Sequence, residues 1–185
     1  MVEKIISDCE KALENNLYFA ALNLALTLPD ICAKAKYPNE KNNKKRYVDW
    51  YEEYISKYEK TPDDIHMPDE SGELIYSLRC SVLHQGNPNI DEKKCKITRF
   101  KLVVETHKPN GYTFCDSADI TYTGDTPNEQ NILKRNMQIN LCELCLRICR
   151  VAKWYYNNNK NQFNFLNYHI IDWDMERQLY EIDKC

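Results

Sequence analysis

Apolar residues recur at intervals of three and four along the start of the chain, which is the spacing of one face of an α-helix. A first amphipathic helix is predicted to end near residues 15–16, with an apolar stripe made of Ile5, Ile6, Cys9, Ala12 and Leu13. Residues 17–36 are apolar on more than one face, as is typical of the central helix of a bundle. Pro29 lies inside this segment and predicts a break or kink there.

Two further helical segments follow before residue 86. After a polar loop at 37–46, a third helix is predicted from the recurrence of Tyr47, Tyr51, Tyr54, Ile55 and Tyr58. An acidic connector with two prolines, at 61–70, leads to a fourth helix at 71–85. Ser71 can cap the start of this helix, and Gly86 with Pro88 beyond it predicts its end.

After residue 86, the spacing of the apolar residues changes from the helical period to an alternation with a period of two. Apolar residues alternate with polar ones at Phe100, Leu102 and Val104, and again at Ala118, Ile120 and Tyr122, which predicts a β-hairpin at about 96–124. A last long helix is predicted to begin at 126–129, with an apolar stripe of Met137, Leu141, Leu144, Cys145, Ile148, Ala152 and Tyr155. The tail, 163–185, is apolar enough that we expect it to dock on the rest of the protein.

These elements predict a mainly α protein, an up-and-down helical bundle with a small inserted β-hairpin. The chain has 185 residues, of which 43% are hydrophobic, so it can bury one good core, and we expect a single domain over 1–185. It contains only four glycines. A sandwich or a barrel would need many more tight turns.

The charge balance limits how the protein can contact nucleic acid. The formal charge is -3 at pH 7, which argues against a protein that binds nucleic acid over its whole surface. Any RNA contact must therefore be local. Lys44, Lys45 and Arg46 form one candidate RNA-binding cluster, and Lys93, Lys94 and Lys96 form another. The alternative for both clusters is a solvated loop.

The cysteines and the N-terminal residues indicate the cellular compartment to expect. The nine cysteines are odd in number and show no pairing framework, which favours free thiols in a reducing compartment. Glu3, Asp8 and Glu10 interrupt any apolar signal segment, and no stretch reaches the roughly 20 apolar residues that cross a bilayer. We therefore expect a cytoplasmic protein with no membrane contact.

The candidate chemistry lies at the end of the fourth helix. Arg79 and His84 stand five positions apart, with Cys80, Ser81 and Gln85 as supporting polar residues. An arginine can hold a phosphate through two parallel N–H donors, and a histidine exchanges a proton near neutral pH. The pair therefore indicates chemistry on a phosphodiester, with no metal or cofactor required. The alternative is a surface arginine beside a histidine that caps the helix.

The stretch from Leu78 to Gly86 resembles the HEPN superfamily, small helical proteins with an Arg-x(4–6)-His signature at the end of a helix. Residues 20–30 and 45–54 also resemble bacterial proteins of this kind. Many members are ribonucleases. The resemblance implies that Arg79 and His84 are catalytic and that two motif helices meet in a homodimer. Members commonly have Asn, Asp or His directly after the arginine, where this chain has Cys80.

Two functional hypotheses follow. The first is a metal-independent endoribonuclease acting on single-stranded RNA, in phage defence, stress or a toxin–antitoxin system, with an antitoxin or a nucleotidyltransferase as a possible partner. The second is a catalytically inactive HEPN-like module that binds a protein or a nucleotide.

Two cysteine-based sites are weaker candidates. Cys142, Cys145 and Cys149 fall on one side of a predicted helix, which favours buried thiols over a zinc or redox site. Cys80 and His84 are four positions apart and could form a thiol–imidazole pair.

Overall fold

Helices dominate the residues that the computed structural model describes, which are 1–58, 71–85, 99–104, 118–123, 131–166, 171–174 and 177. The α-helices in these ranges are α1 (Val2–Glu14), α2 (Tyr18–Lys36), α3 (Asn43–Tyr54), α4 (Gly72–Cys80) and α5 (Leu141–Asn158). The strands are β1 (Arg99–Val103), β2 (Ala118–Thr123) and β3 (Asn131–Asn140), and 3-10 turns lie at Ser56–Tyr58 and Lys160–Phe163. The prediction of a mainly α fold is confirmed.

Helix α1 ends where the sequence predicts. Asn16 adopts a positive φ of 58°. Its N–H donates to Leu13 O at 3.0 Å, and the N–H of Leu17 donates to Ala12 O at 2.8 Å. This pair of bonds is a Schellman motif, which an asparagine tolerates because it enters the left-handed region more easily than most residues. The chain then turns directly into α2.

Helix α2 is the centre of the bundle, as predicted, and packs against α1, α3, α4 and α5. It runs through Pro29 as one element, so the predicted break is wrong. Pro29 is itself buried, and contacts on several sides of the helix offset the one hydrogen bond that a proline removes. Even with α2 included, no helix in the described ranges is long and apolar enough to cross a membrane.

The strands are present where alternation predicts β1 and β2, but their pairing differs from the prediction. The two strands do not pair with each other. The sheet order is β1-β3-β2, with β3 parallel to β1 and antiparallel to β2. The sequence predicts a helix over Asn131–Asn140, but this segment forms β3, so the predicted start of the last helix is also wrong. The helix begins at Leu141 because Asn140 caps it, accepting hydrogen bonds from Cys142 N and Glu143 N at 3.1 and 3.2 Å.

The core lies between α2 and the helices around it. From α5 the predicted stripe is buried, including Leu144, Ile148 and Tyr155. Aromatic rings from α3 meet α5 edge to face, with the centroids of Trp50 and Tyr155 5.8 Å apart. After α5, Phe163 is buried against Tyr155, so the start of the tail docks as expected. Further along, Ile171 and Trp173 are exposed.

Gly72 brings α4 close to α3. A Cβ at this position would lie 2.8 Å from Val48 O and 3.1 Å from Val48 Cα, and both atoms are backbone. The Gly72 N–H also donates to Glu52 Oε1 at 2.5 Å. Any larger residue would therefore push the two helices apart.

We expect Gly72→Ala to lower the free energy of unfolding by about 1–3 kcal/mol, because overpacking displaces the α3 backbone. Urea denaturation measures this change. Ser77→Ala on the same helix is the control and should have a smaller effect. An increase in stability for Gly72→Ala would contradict the close approach.

Candidate functional site

Helix α4 and its continuation position the motif residues. Ser71 caps the helix, its Oγ accepting from Leu74 N at 3.2 Å, as predicted. The helix runs to Cys80 and continues as a π-helical turn over Ser81–Gln85, so the predicted helix at 71–85 is confirmed. Turns of this type are rare and often occur at functional sites. Gly86 and Pro88, the predicted stop, lie outside the described residues.

The π-helical turn changes the expected geometry of the motif. In a regular α-helix, positions five apart are rotated by about 140° around the axis. A π-helical turn holds more residues, so each residue adds less rotation. Position 84 is therefore closer to the face of Arg79 than the regular helix would place it. The backbone of His84 and Gln85 belongs to this turn, whereas their side chains lie outside the described part of the structure.

Arg79 is held by a carboxylate from the central helix. Its Nε donates to Asp30 Oδ2 at 2.8 Å, and the two side chains are only 18% and 27% exposed. Burial of the guanidinium opposes its charge, but Asp30 and the Cys80 thiol more than compensate, so the pKa of Arg79 is raised. Arg79 therefore remains a fixed cation at any accessible pH.

The ring of Tyr76 joins Arg79 to the basic cluster of α3. Arg79 Cζ lies 5.8 Å from the Tyr76 ring centroid, and Lys44 Nζ lies 5.9 Å from it. Tyr76 meets Tyr47 edge to face at 5.3 Å. Burial, followed by the neighbouring Cys80, raises the pKa of Tyr76, so it stays a neutral phenol. Two cations therefore share one aromatic ring of the motif helix.

The three predicted RNA-binding cations differ in their surroundings. Lys44 pairs with Glu73 at 2.5 Å. Lys45 pairs with Asp49 at 2.9 Å and with Glu40 at 3.3 Å. Arg46 donates to the Glu40 carbonyl and to Asn43 Oδ1. Only Lys44 is brought next to Arg79 by these contacts. The second predicted cluster, 93–96, lies outside the described residues.

Of the supporting residues, Cys80 lies beside Arg79. Cys80 is half-buried, with its Sγ 4.0 Å from Arg79 Nη1, and Ser81 is buried. The hydroxyl of Tyr47 is fully buried beside this group and has no hydrogen-bond partner within the described structure. The predicted pair of Cys80 and His84 involves a side chain outside the described residues and stays a prediction.

Sequence reasoning missed Asp30 and Tyr76. A signal for Asp30 was present, because it is the one acidic residue in the 19 residues of α2. A carboxylate in an apolar helix that packs on several sides needs a cation nearby. Nothing in the sequence identified Arg79 as that cation, since 49 positions separate the two.

The cysteines of α5 are joined by one from α1. Cys145 and Cys149 are buried, as predicted for thiols that pack as small apolar groups, and Cys9 is buried with them. Hydrogen bonds from Cys145 and Cys149 lower the pKa of Cys9, while bonding to Cys9 and burial raise the pKa of the other two. Cys9 also donates to Ala21 O at 3.3 Å. The trio therefore links α1, α2 and α5 within the core.

We expect Asp30→Ala to lower the free energy of unfolding by about 1–3 kcal/mol, because it leaves the half-buried guanidinium of Arg79 without its carboxylate. A double-mutant cycle measures the interaction, with the free energy of unfolding taken from chemical denaturation of the wild type, Asp30→Ala, Arg79→Met and the double variant. The two losses should not add, and the coupling should be about 1 kcal/mol or more. Strictly additive losses would show that the pair contributes no interaction energy.

Comparisons with known proteins give no independent assignment. No family model matches the chain, and neither the curated proteins nor the solved structures contain a significant match. The resemblance to the HEPN superfamily therefore remains a prediction from the residues at 78–86.

Proposed function

We propose that the protein is a metal-independent endoribonuclease that cuts single-stranded RNA, with Arg79 and His84 as its catalytic residues. The observation that carries the proposal is the placement of Arg79. It is fixed by Asp30 at 2.8 Å, shares the Tyr76 ring with Lys44, and lies two residues before the π-helical turn that contains His84. Two cations thus lie together, each beside a carboxylate, on a chain of net negative charge.

The arrangement favours phosphoryl transfer by acid–base catalysis. Arg79, oriented by Asp30, would bind the phosphate and would stabilise the charge that grows in the transition state. One His84 would accept the proton of the ribose 2′-hydroxyl as the 2′-oxygen bonds to phosphorus. The bond from phosphorus to the 5′-oxygen then breaks. The products are a 2′,3′-cyclic phosphate and a 5′-hydroxyl.

The departing 5′-oxygen also needs a proton. One Arg–His pair has few groups with which to remove the proton of the 2′-hydroxyl and also protonate the 5′-oxygen. A homodimer in which two motif helices meet supplies a second His84 as the acid. An apolar groove of 260 Å³ beside the motif supports such a contact, and it is lined by Phe19, Asn23, Leu78, Ser81, Val82, Phe100 and Leu102. Phe19 is 72% exposed at this groove.

The cellular setting proposed is the cytoplasm, in phage defence, stress or a toxin–antitoxin pair. Six cysteines in the described part of the chain are free thiols, which fits a reducing compartment. An antitoxin or a nucleotidyltransferase would be the partner that restrains the enzyme.

An inactive HEPN-like binding module is the second candidate, and two observations favour it. Asp30 already engages Arg79, so the arginine has a structural role that needs no substrate. Cys80, half-buried, takes the place of the polar residue common in active relatives of the proposed family. In this case Arg79 and His84 would serve ligand binding or dimer packing.

Cleavage of labelled single-stranded RNA in excess EDTA separates the two candidates. We expect wild-type protein to cut, and His84→Ala and Arg79→Lys to lower the rate by about 100-fold or more, since a positioned proton acceptor contributes roughly that much and lysine cannot reproduce the guanidinium fork. Lys153→Ala, on the exposed side of α5, is the control and should cut at the wild-type rate. Absence of cleavage by the wild type, or equal rates for all four proteins, would remove the enzyme hypothesis.

The pH dependence of the cleavage rate tests the role of His84 in the same assay. An imidazole that transfers protons makes the rate change between about pH 5.5 and 8, because histidine titrates in that range. A flat profile would assign the proton transfer to another group.

Sedimentation at micromolar concentration tests the dimer. We expect the wild type to sediment as a dimer and Phe19→Asp to sediment as a monomer, because a carboxylate in the apolar groove would have to be desolvated on association. Leu146→Asp changes an exposed apolar residue of α5 in the same way and should leave the dimer intact. A monomeric wild type, or equal dissociation by both variants, would contradict the proposed interface.

A further inference from the structure

Helix α5 carries a second stripe beside the one it buries in the core. Arg147, Arg150, Val151 and Trp154 stand at i, i+3, i+4 and i+7, which places them on one face of the helix. Val151 packs partly against the core, but core packing does not explain Arg150 and Trp154, which are exposed. Its composition, two arginines with a large aromatic ring, is that of a binding surface.

This stripe forms one wall of a cavity of 520 Å³. The opposite wall is the end of α3 and the turn after it, contributed by Glu53, Tyr54, Ile55 and Lys57. Pockets of roughly 300–1,000 Å³ hold small organic molecules, and those pockets combine an apolar lining with a few placed polar groups. The cavity has this size and this mixture.

The charges that line the cavity favour an anion. Lys57, Arg147 and Arg150 contribute three cations, against one carboxylate from Glu53. That carboxylate is already used, because Lys36 donates to it and Tyr37 Oη donates to it at 2.9 Å. The hydrogen bond from Lys36 lowers the pKa of Glu53. The excess charge of the described lining is therefore positive.

The aromatic side chains favour a flat ring. Trp154 is 57% exposed, and its ring centroid lies 6.2 Å from that of Tyr54. Tyr54 is fixed by packing on Trp50 at 5.3 Å and on Tyr155 at 5.0 Å, and Lys36 Nζ lies 4.6 Å above its ring. These contacts hold the Tyr54 ring in place in the cavity wall. The exposed indole of Trp154 offers a face on which another ring can stack.

This site is separate from the motif. Tyr47, which meets the Tyr76 ring beside Arg79, and Tyr54, in the cavity wall, are seven residues apart on α3. That separation corresponds to about 10 Å along the helix axis. Neither Arg79 nor Tyr76 lines the cavity within the described structure.

We propose that the cavity binds a small molecule in which a flat aromatic ring is joined to an anionic group. The ring stacks on Trp154, and the phosphate or carboxylate is held by Arg147 and Arg150. A guanidinium binds either anion through paired N–H donors. A nucleoside monophosphate and an aromatic carboxylate both have this chemistry. The inference does not depend on RNA cleavage.

Isothermal titration calorimetry with four probes tests the proposal and identifies the source of the anion. The probes are adenosine monophosphate and indole-3-acetate, with adenosine and indole as their neutral counterparts. We expect one of the two anions to bind and its neutral counterpart to bind at least about tenfold more weakly, a difference of roughly 1.4 kcal/mol. Binding by the monophosphate alone assigns a phosphate ligand, and binding by the acetate alone assigns a carboxylate.

Variants of α5 locate the site. Arg150→Ala and Trp154→Leu should each weaken the bound anion by about tenfold or more. Lys153→Ala removes a cation from the same helix but away from the cavity, and should leave the affinity unchanged. Circular dichroism checks that each variant keeps its helices. The proposal is overturned if neither anion binds at millimolar concentration, if the neutral counterparts bind as tightly, or if Lys153→Ala weakens binding as much as Arg150→Ala.

Discussion

The ion pair between Asp30 and Arg79 is the constraint on which the arrangement of the motif depends. Helix α2 packs on several sides and is mostly apolar, so its single carboxylate must be neutralised where it stands. Arg79 supplies the charge from α4 at 2.8 Å. The motif helix is thereby fixed to the central helix at its C-terminal end, while Gly72 fixes its N-terminal end to α3. Its two ends are thus set by different contacts, one electrostatic and one steric.

This anchoring also has a consequence for chemistry. A guanidinium that is already oriented by a carboxylate loses less side-chain entropy when it binds a phosphate than a free arginine would. The same carboxylate competes with the phosphate for the charge. In the proposed ribonuclease, Arg79 and Lys44 together would have to attract a phosphodiester strongly enough to offset this competition. The Tyr76 ring, which holds both cations within 6 Å of its centre, keeps them close enough for such joint action.

The helices could be predicted because their signals are local. The apolar stripe of α1, the Ser71 cap and the aromatic recurrence of α3 each lie within a few turns of chain, and each appears in the structure. The pairing of β3 with both β1 and β2 is set between distant segments, so alternation within one segment could not reveal it. The start of α5 was missed for a different reason. Met137 fits the stripe that continues from Leu141, although the cap at Asn140 separates them.

The candidate site likewise contains residues that the sequence pattern can predict and residues that only packing brings together. Arg79 and His84 are five positions apart and could be recognised as a pattern, whereas Asp30, Lys44 and Tyr76 join Arg79 only through packing. The helical spacing of Arg147, Arg150 and Trp154 is a local signal that the sequence analysis did not single out, and their partner wall on α3 is set by packing alone.

Helix α3 contributes residues to both candidate sites, one at each end. Lys44 and Tyr47 belong to the motif, and Glu53 and Tyr54 belong to the cavity, with buried Trp50 and Tyr51 between them. The formal charge of the chain is negative, so the two proposed sites would have to attract an anion locally, through the arginine and lysine side chains that each contains. Tyr47 and Tyr54 are about 10 Å apart along the axis of α3, slightly more than the Debye length of about 8 Å at physiological ionic strength, so salt screens part of the interaction between the two sites.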